Sequence, residues 1–154
     1  MRFKNEFRKI FEDNKNDFCL FYFVDNEKAR NRPNPHWYIN IPMPDNQQLL
    51  LTMITTDRNN CRRIQPECFV KINCTDIPTI IKHTSYINCF NPKDKTIDDL
   101  ICDIDTYRTN PLIPKSLTIN DELQAKIIKA LLTSREINPR TKKTLRSQYQ
   151  SFSF

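Results

Sequence analysis

Glycine is absent from this chain of 154 residues, although average usage of about 7% would supply roughly eleven. Walker loops, dinucleotide fingerprints, G-x-S-x-G nucleophile elbows and kinase glycine loops all need glycine, for positive φ or for close backbone approach. Nucleotide-dependent enzymes are therefore poor candidates. Because Asn and Asp tolerate left-handed backbone best after glycine, we expect them at the turns.

The chain also lacks long apolar runs and C-x-x-C cysteine pairs. No stretch approaches the roughly 20 apolar residues of a membrane helix, so we expect no membrane insertion. The six cysteines match no C-x-x-C spacing, and the sequence predicts no metal site and no cofactor. The charged N-terminus lacks the apolar core of a signal peptide, which predicts reduced thiols and a cytoplasmic protein.

The formal net charge of +6 lies in the C-terminal segment, because residues 1–123 are neutral as a unit. Beyond them, Glu136 is the one acidic residue among many basic ones: Lys126, Lys129, Arg135, Arg140, Lys142, Lys143 and Arg146. Such a segment attracts phosphate backbones or an acidic protein partner. It is equally typical of a solvated helix face that keeps a protein soluble.

The apolar periodicity predicts an α+β chain that is mainly β. Phe3, Phe7 and Phe11 follow helical spacing and predict a short N-terminal helix. Strand patterns separated by Pro, Asn and Asp follow at 17–24, 36–41, 49–55, 68–72 and 86–90. Strands at this spacing, without helical patterns between them, favour an antiparallel sheet that curls into a small barrel of about five strands.

The pattern changes to helix after residue 92. Thr96 is placed to cap one helix, and Thr118 with Asp121 resembles a capping box before another. Asn138-Pro139 ends that helix and begins the last. We therefore expect a barrel domain with flanking helices over 1–105, followed by a linker and a basic helical hairpin over 106–154.

The candidate chemical residues are few, because His36 and His83 are the chain's two histidines. In an antiparallel meander the start of one strand lies beside the end of its neighbour, so we expect His36 near Thr55. The loop holding Lys82, His83 and Ser85 can reach the same rim. Proton carriers, hydroxyls and a cation suit metal-free RNA cleavage, in which the ribose 2′-hydroxyl is the nucleophile.

Each of these residues also has a structural interpretation. His83 fits a surface loop residue, Thr55 fits a β-branched strand residue, and Lys82 fits a solvated charge.

The order of elements over residues 36–98 resembles the PemK/MazF/Kid family of toxin endoribonucleases. The similarity is carried by the strand 49–55, then by Ile81-Lys82-His83-Thr84-Ser85-Tyr86-Ile87, and then by Thr96-Ile97-Asp98. The resemblance implies a small, strongly curved antiparallel barrel, usually a homodimer, that cleaves single-stranded RNA without a metal. It also implies a protein antitoxin as a partner.

Residue by residue, Thr55 and Ser85 match the family's Thr and Ser, while His36 stands in place of its active-site Arg. Arg32 precedes Pro33 and is a displaced Arg-Pro candidate. Departures are Thr84, where the family commonly has Asp, and the missing glycines.

The sequence thus gives His36, Thr55 and His83 as catalytic candidates. The candidates for contacts with phosphate or RNA are Arg32, Lys82, Ser85, Arg140, Lys142 and Lys143. The leading hypothesis is a toxin-like, metal-independent endoribonuclease of a toxin-antitoxin or related defence system. The alternatives are a noncatalytic module of the same fold that binds nucleic acid or protein, and a purely structural interaction module.

Overall fold

The computed structural model describes residues 2–23, 36–44, 48–56, 64–78, 80–107 and 119–152. The chain is α+β, with four α-helices and five antiparallel strands in this part of the chain. The strands are β1 (Leu20–Phe23), β2 (His36–Ile41), β3 (Gln48–Thr55), β4 (Phe69–Ile72) and β5 (Ser85–Thr96). The helices are α1 (Arg2–Asn14), α2 (Ile97–Tyr107), α3 (Asp121–Thr133) and α4 (Pro139–Gln148), and a 3-10 turn covers Pro66–Cys68.

The five strands form one sheet in the order β1-β2-β3-β5-β4. The prediction of an antiparallel sheet with an N-terminal helix and two C-terminal helices is confirmed. Among the described strands β1 and β4 are the outer ones, so these strands do not close on themselves. The predicted strongly curved barrel is therefore not confirmed.

The chain divides into two compact units. The first comprises Met1–Leu51 with Lys93–Leu117, and the second comprises Thr52–Pro92 with Thr118–Phe154. The first unit thus holds α1, β1, β2 and α2, and the second holds β4, α3 and α4. The two longest strands, β3 and β5, each contribute to both units, and the expected boundary at residue 105 stays a prediction.

Aromatic packing organises the core of the first unit. Phe11 is fully buried on α1 and meets Phe21 of β1 edge to face, with 4.9 Å between ring centroids. Phe23 stacks on Tyr38 of β2 at 4.3 Å. Burying such side chains removes a large apolar area from water and adds favourable ring geometry.

Asn40 of β2 holds the turn between α1 and β1 through two hydrogen bonds. Its side chain is 1% exposed, and its amide nitrogen donates to the carbonyl oxygens of Lys15 and Asp17, both at 2.9 Å. A buried amide used in this way satisfies backbone acceptors that no helix or strand reaches. Asn40, a polar residue in an apolar strand, therefore has a structural role: it holds the turn against β2.

The predicted cap of α2 is confirmed, because the Thr96 hydroxyl accepts from the backbone N–H of Asp99 at 3.1 Å. Arg8 of α1 forms an ion pair with Asp98 in the first turn of α2. The pair raises the pKa of Arg8, mainly through its hydrogen bond to that carboxylate. Both side chains are exposed, so solvent screens the interaction and its contribution to stability is small.

In the second unit β4 pairs with the first part of β5, with Phe69 opposite Asn88 and Ile72 opposite Ser85. Helix α3 begins after Asn120, whose side-chain oxygen accepts from the Leu123 N–H at 2.8 Å. The capping residue is thus Asn120. The predicted cap, Thr118, lies outside the described residues.

Helix α4 begins as predicted at Pro139. Asn138 precedes it, and the Asn138 side-chain oxygen accepts from the Thr141 N–H at 2.8 Å. None of the described helices is both long and apolar enough to cross a membrane.

Three thiols are deeply buried: Cys19, Cys68 and Cys89. Burial, with a smaller effect of the Asp17 charge, raises the pKa of Cys19 from 9.0 to about 12. Burial likewise raises the pKa values of Cys68 and Cys89. A thiol that keeps its proton is a poor nucleophile and metal ligand, so these cysteines serve packing. Cys61 lies outside the described residues.

We predict that the free energy of unfolding falls as pH rises from about 9 towards 12, because the unfolded state releases the Cys19 proton first. Below the pKa of the unfolded state, both the folded and the unfolded protein keep the Cys19 proton, so the free energy of unfolding does not change with pH through this thiol. Above it, Cys19 accounts for a loss of about 1.4 kcal/mol per pH unit. Urea unfolding measured across this range should show a shallower decline for Cys19→Ala. The exposed control Cys74→Ala should keep the wild-type slope, and equal slopes in all three proteins would contradict the prediction.

Candidate functional site

Lys82, His83 and Thr84 form an exposed segment between two buried residues of the second unit. On one side, Ile81 is 4% exposed and its N–H donates to the Ile77 carbonyl at 3.0 Å. On the other side, Ser85 is 4% exposed and its hydroxyl donates to the His83 carbonyl at 3.0 Å. The segment, called the 82–84 loop below, presents a cation and an imidazole from a backbone that is held at both ends.

Ser85 therefore lies at the base of the 82–84 loop, with its hydroxyl hydrogen directed to the backbone. The oxygen keeps lone pairs, but the side chain is buried. Its observed contact orders the loop that carries His83.

Thr55 is the last residue of β3 and is half-buried. Strand β3 neighbours β5, which begins at Ser85. Because the end of one antiparallel strand lies beside the start of the next, Thr55 and the 82–84 loop are at the same end of this pair. The sequence-based grouping of Thr55 with the loop residues is compatible with this topology.

His36 opens β2, opposite Phe23, and is half-buried in the first unit. Since His83 belongs to the second unit, the pairing of the two histidines stays a prediction. Arg32 lies outside the described residues.

The other predicted RNA contacts lie on α4. Arg140 and Lys143 are exposed and Lys142 is half-buried. The helix also carries Arg146 in its last turn and has no acidic residue in its first. Without a carboxylate in this helix, its cations offer a surface for an anionic partner.

The turn between α3 and α4 is joined to β5 by hydrogen bonds. Ser134 is fully buried; its hydroxyl donates to the Phe90 carbonyl at 2.6 Å and accepts from the Glu136 N–H at 3.2 Å. Gln65 joins the same turn, donating to the Thr133 carbonyl at 2.9 Å and accepting from the Arg135 N–H at 3.1 Å. Sequence reasoning missed both residues, because their partners are distant in the chain.

Within the described ranges, no three His, Cys, Asp or Glu side chains are grouped so that they would hold a metal ion. The chemistry available around the 82–84 loop is proton transfer by an imidazole, charge stabilisation by an ammonium group and hydrogen bonding by a threonine hydroxyl. These groups suit an anionic substrate.

Comparisons with protein-family models, with curated proteins and with solved structures found no match to this chain. The resemblance to the PemK/MazF/Kid family thus stays a prediction from its sequence.

We predict that Ser134→Ala destabilises the protein by about 1–3 kcal/mol, because it leaves the buried Phe90 carbonyl without its donor. Ser147→Ala, at an exposed position of α4, is the matched control and should change the unfolding free energy by less than about 0.5 kcal/mol. Urea unfolding followed by circular dichroism measures both. Equal effects of the two substitutions would show that the Ser134 hydroxyl is dispensable.

Proposed function

We propose that this protein is a metal-independent endoribonuclease that cleaves single-stranded RNA, acting as the toxin of a toxin-antitoxin or related defence system. The observation that supports it best is the exposed Lys82-His83 pair between the buried residues Ile81 and Ser85. The backbone on both sides of this pair is anchored by hydrogen bonds, which limits the region that the two side chains can reach. Catalysis depends on such preorganisation.

In the proposed reaction a base removes the proton of the ribose 2′-hydroxyl, and the 2′ oxygen attacks the adjacent phosphorus. The bond from phosphorus to the 5′ oxygen breaks, and an acid gives that oxygen a proton. His36 and His83 are the candidates for base and acid. Lys82 stabilises the negative charge that develops on the phosphate, and Thr55 donates a hydrogen bond to it. The products are a 2′,3′-cyclic phosphate and a 5′-hydroxyl.

A strongly curved barrel, a homodimer, a protein antitoxin and a cytoplasmic location belong to the same proposal. They rest on the family resemblance over residues 36–98 and on the reduced state expected of the cysteines.

A noncatalytic nucleic-acid-binding module is the second candidate, and α4 favours it. Arg140 and Lys143 are exposed on this helix, and phosphate contacts from such side chains need no catalytic geometry. If His36 and His83 do not both reach the same phosphate, the protein binds RNA without cleaving it.

The test is cleavage of an unstructured oligoribonucleotide by the purified protein in EDTA. We expect the wild type to cleave, and His36→Ala and His83→Ala each to lower the rate by about 10²–10⁴-fold, the usual effect of losing an acid or base. Lys82→Ala should lower it as well. Lys71→Ala changes an exposed lysine of β4 and should leave the rate unchanged.

Circular dichroism of each variant separates lost chemistry from lost folding. A wild-type protein that binds the RNA and leaves it intact would favour the noncatalytic module. A His83→Ala variant that cleaves at the wild-type rate would contradict the proposed site.

A further inference from the structure

Tyr86 is the second residue of β5 and closely follows the 82–84 loop. Its neighbours Ser85, Ile87 and Cys89 form the buried face of the strand, since they are 4%, 0% and 0% exposed. Successive side chains of a strand point to opposite faces, so Tyr86 lies on the other face, where it is half-buried. An accessible aromatic ring is thus three residues from His83, a span of at most about 11 Å along the backbone.

Buried neighbours hold the Tyr86 ring from one side. Tyr86 packs against a cluster that consists of Cys68, Phe69 and Phe90. Phe69 and Phe90 are each 8% exposed, and Phe69 lies opposite Asn88, so this face of the β4–β5 pair is covered there and opens towards Tyr86. A ring that is already held by packing loses little conformational entropy when a second flat group stacks on it.

The side chains that precede Tyr86 suit a phosphate. Lys82 and His83 are both exposed in the 82–84 loop. Proteins that bind single-stranded RNA combine cations, which follow the phosphate backbone, with aromatic rings on which bases stack. A protein partner fits less well, because one half-buried tyrosine offers far less area than the roughly 800 Å² that each partner buries in a stable complex.

We propose that Tyr86 stacks on an unpaired base of the RNA whose phosphate meets Lys82 and His83. The inference rests on the proposed function and adds to it the residue that binds a base of the substrate. Stacking fixes the nucleotide beside the 82–84 loop and so limits the positions that its phosphate can take relative to the imidazole. Because every base has a π face, this contact provides affinity for single strands without a strict sequence preference.

The test measures, by fluorescence anisotropy, how the whole protein binds a single-stranded 2′-O-methyl oligonucleotide, which is not cleaved. Tyr86→Leu keeps an apolar side chain against Phe69 and Phe90 but removes the ring. We expect it to weaken affinity about 5- to 150-fold, the range for one lost stacking contact. Tyr86→Phe keeps the ring and should stay within about twofold of the wild type.

Oligonucleotides that each lack one base identify the base that stacks. For the wild type, loss of one particular base should weaken binding by about the same factor as Tyr86→Leu. Loss of that base should cost Tyr86→Leu no further affinity, since both changes remove the same contact. A substitution that merely disturbed the fold would not show this dependence on one base.

Phe18→Leu is the matched control, because Phe18 is another half-buried aromatic residue and precedes β1 in the first unit. It should alter affinity by no more than about twofold. Wild-type affinity in Tyr86→Leu, a Tyr86→Phe variant as weak as Tyr86→Leu, or base removal that affects both proteins equally at every position would each overturn the proposal. So would a wild-type protein that does not bind the oligonucleotide.

The outcome for Tyr86 is separable from the outcome for the nuclease. A protein that binds through Tyr86 and leaves RNA intact would support the stacking contact and contradict the nuclease. Cleavage by the wild type together with unchanged affinity in Tyr86→Leu would contradict the stacking contact alone.

Discussion

The second unit depends on how the carboxyl end of α3 is held. A helix commonly ends on a glycine in the left-handed conformation, which satisfies its last carbonyl groups, but this chain has no glycine. The backbone instead leaves the helix extended at Ser134, with φ −63° and ψ 129°. The Gln65 side chain donates to the Thr133 carbonyl at the end of the helix, and the Ser134 hydroxyl donates to the Phe90 carbonyl of β5. Ser134 thus holds the end of α3 against β5, and Gln65 holds it against the segment that leads into β4.

Much of the fold follows from local pattern. All five strands and the N-terminal helix occur where apolar periodicity predicts them, and Thr96 and Asn138 cap helices as their side chains allow. Closure of the sheet was less predictable, because it depends on which outer strands pair rather than on alternation within one strand. The prediction also ended β5 early, at residue 90, since Asn91-Pro92 reads as a strand breaker, yet the strand continues to Thr96.

The candidate site was predictable in its composition and less so in its geometry. The sequence indicates the 82–84 loop because it holds one of only two histidines, and Lys82 and His83 are both exposed in the structure. The role of Ser85 had no sequence signal, because the residue pattern does not indicate that its hydroxyl donates to the His83 carbonyl.

The central claim, that His36 and His83 act on one RNA phosphate, can be tested by NMR titration of the protein with a single-stranded 2′-O-methyl oligonucleotide. Such an RNA analogue binds without being cleaved, because its 2′ oxygen has no proton to lose. The account predicts that the imidazole resonances of both histidines shift together and saturate at the same oligonucleotide concentration. Shifts confined to α4, with both imidazoles unmoved, would contradict it.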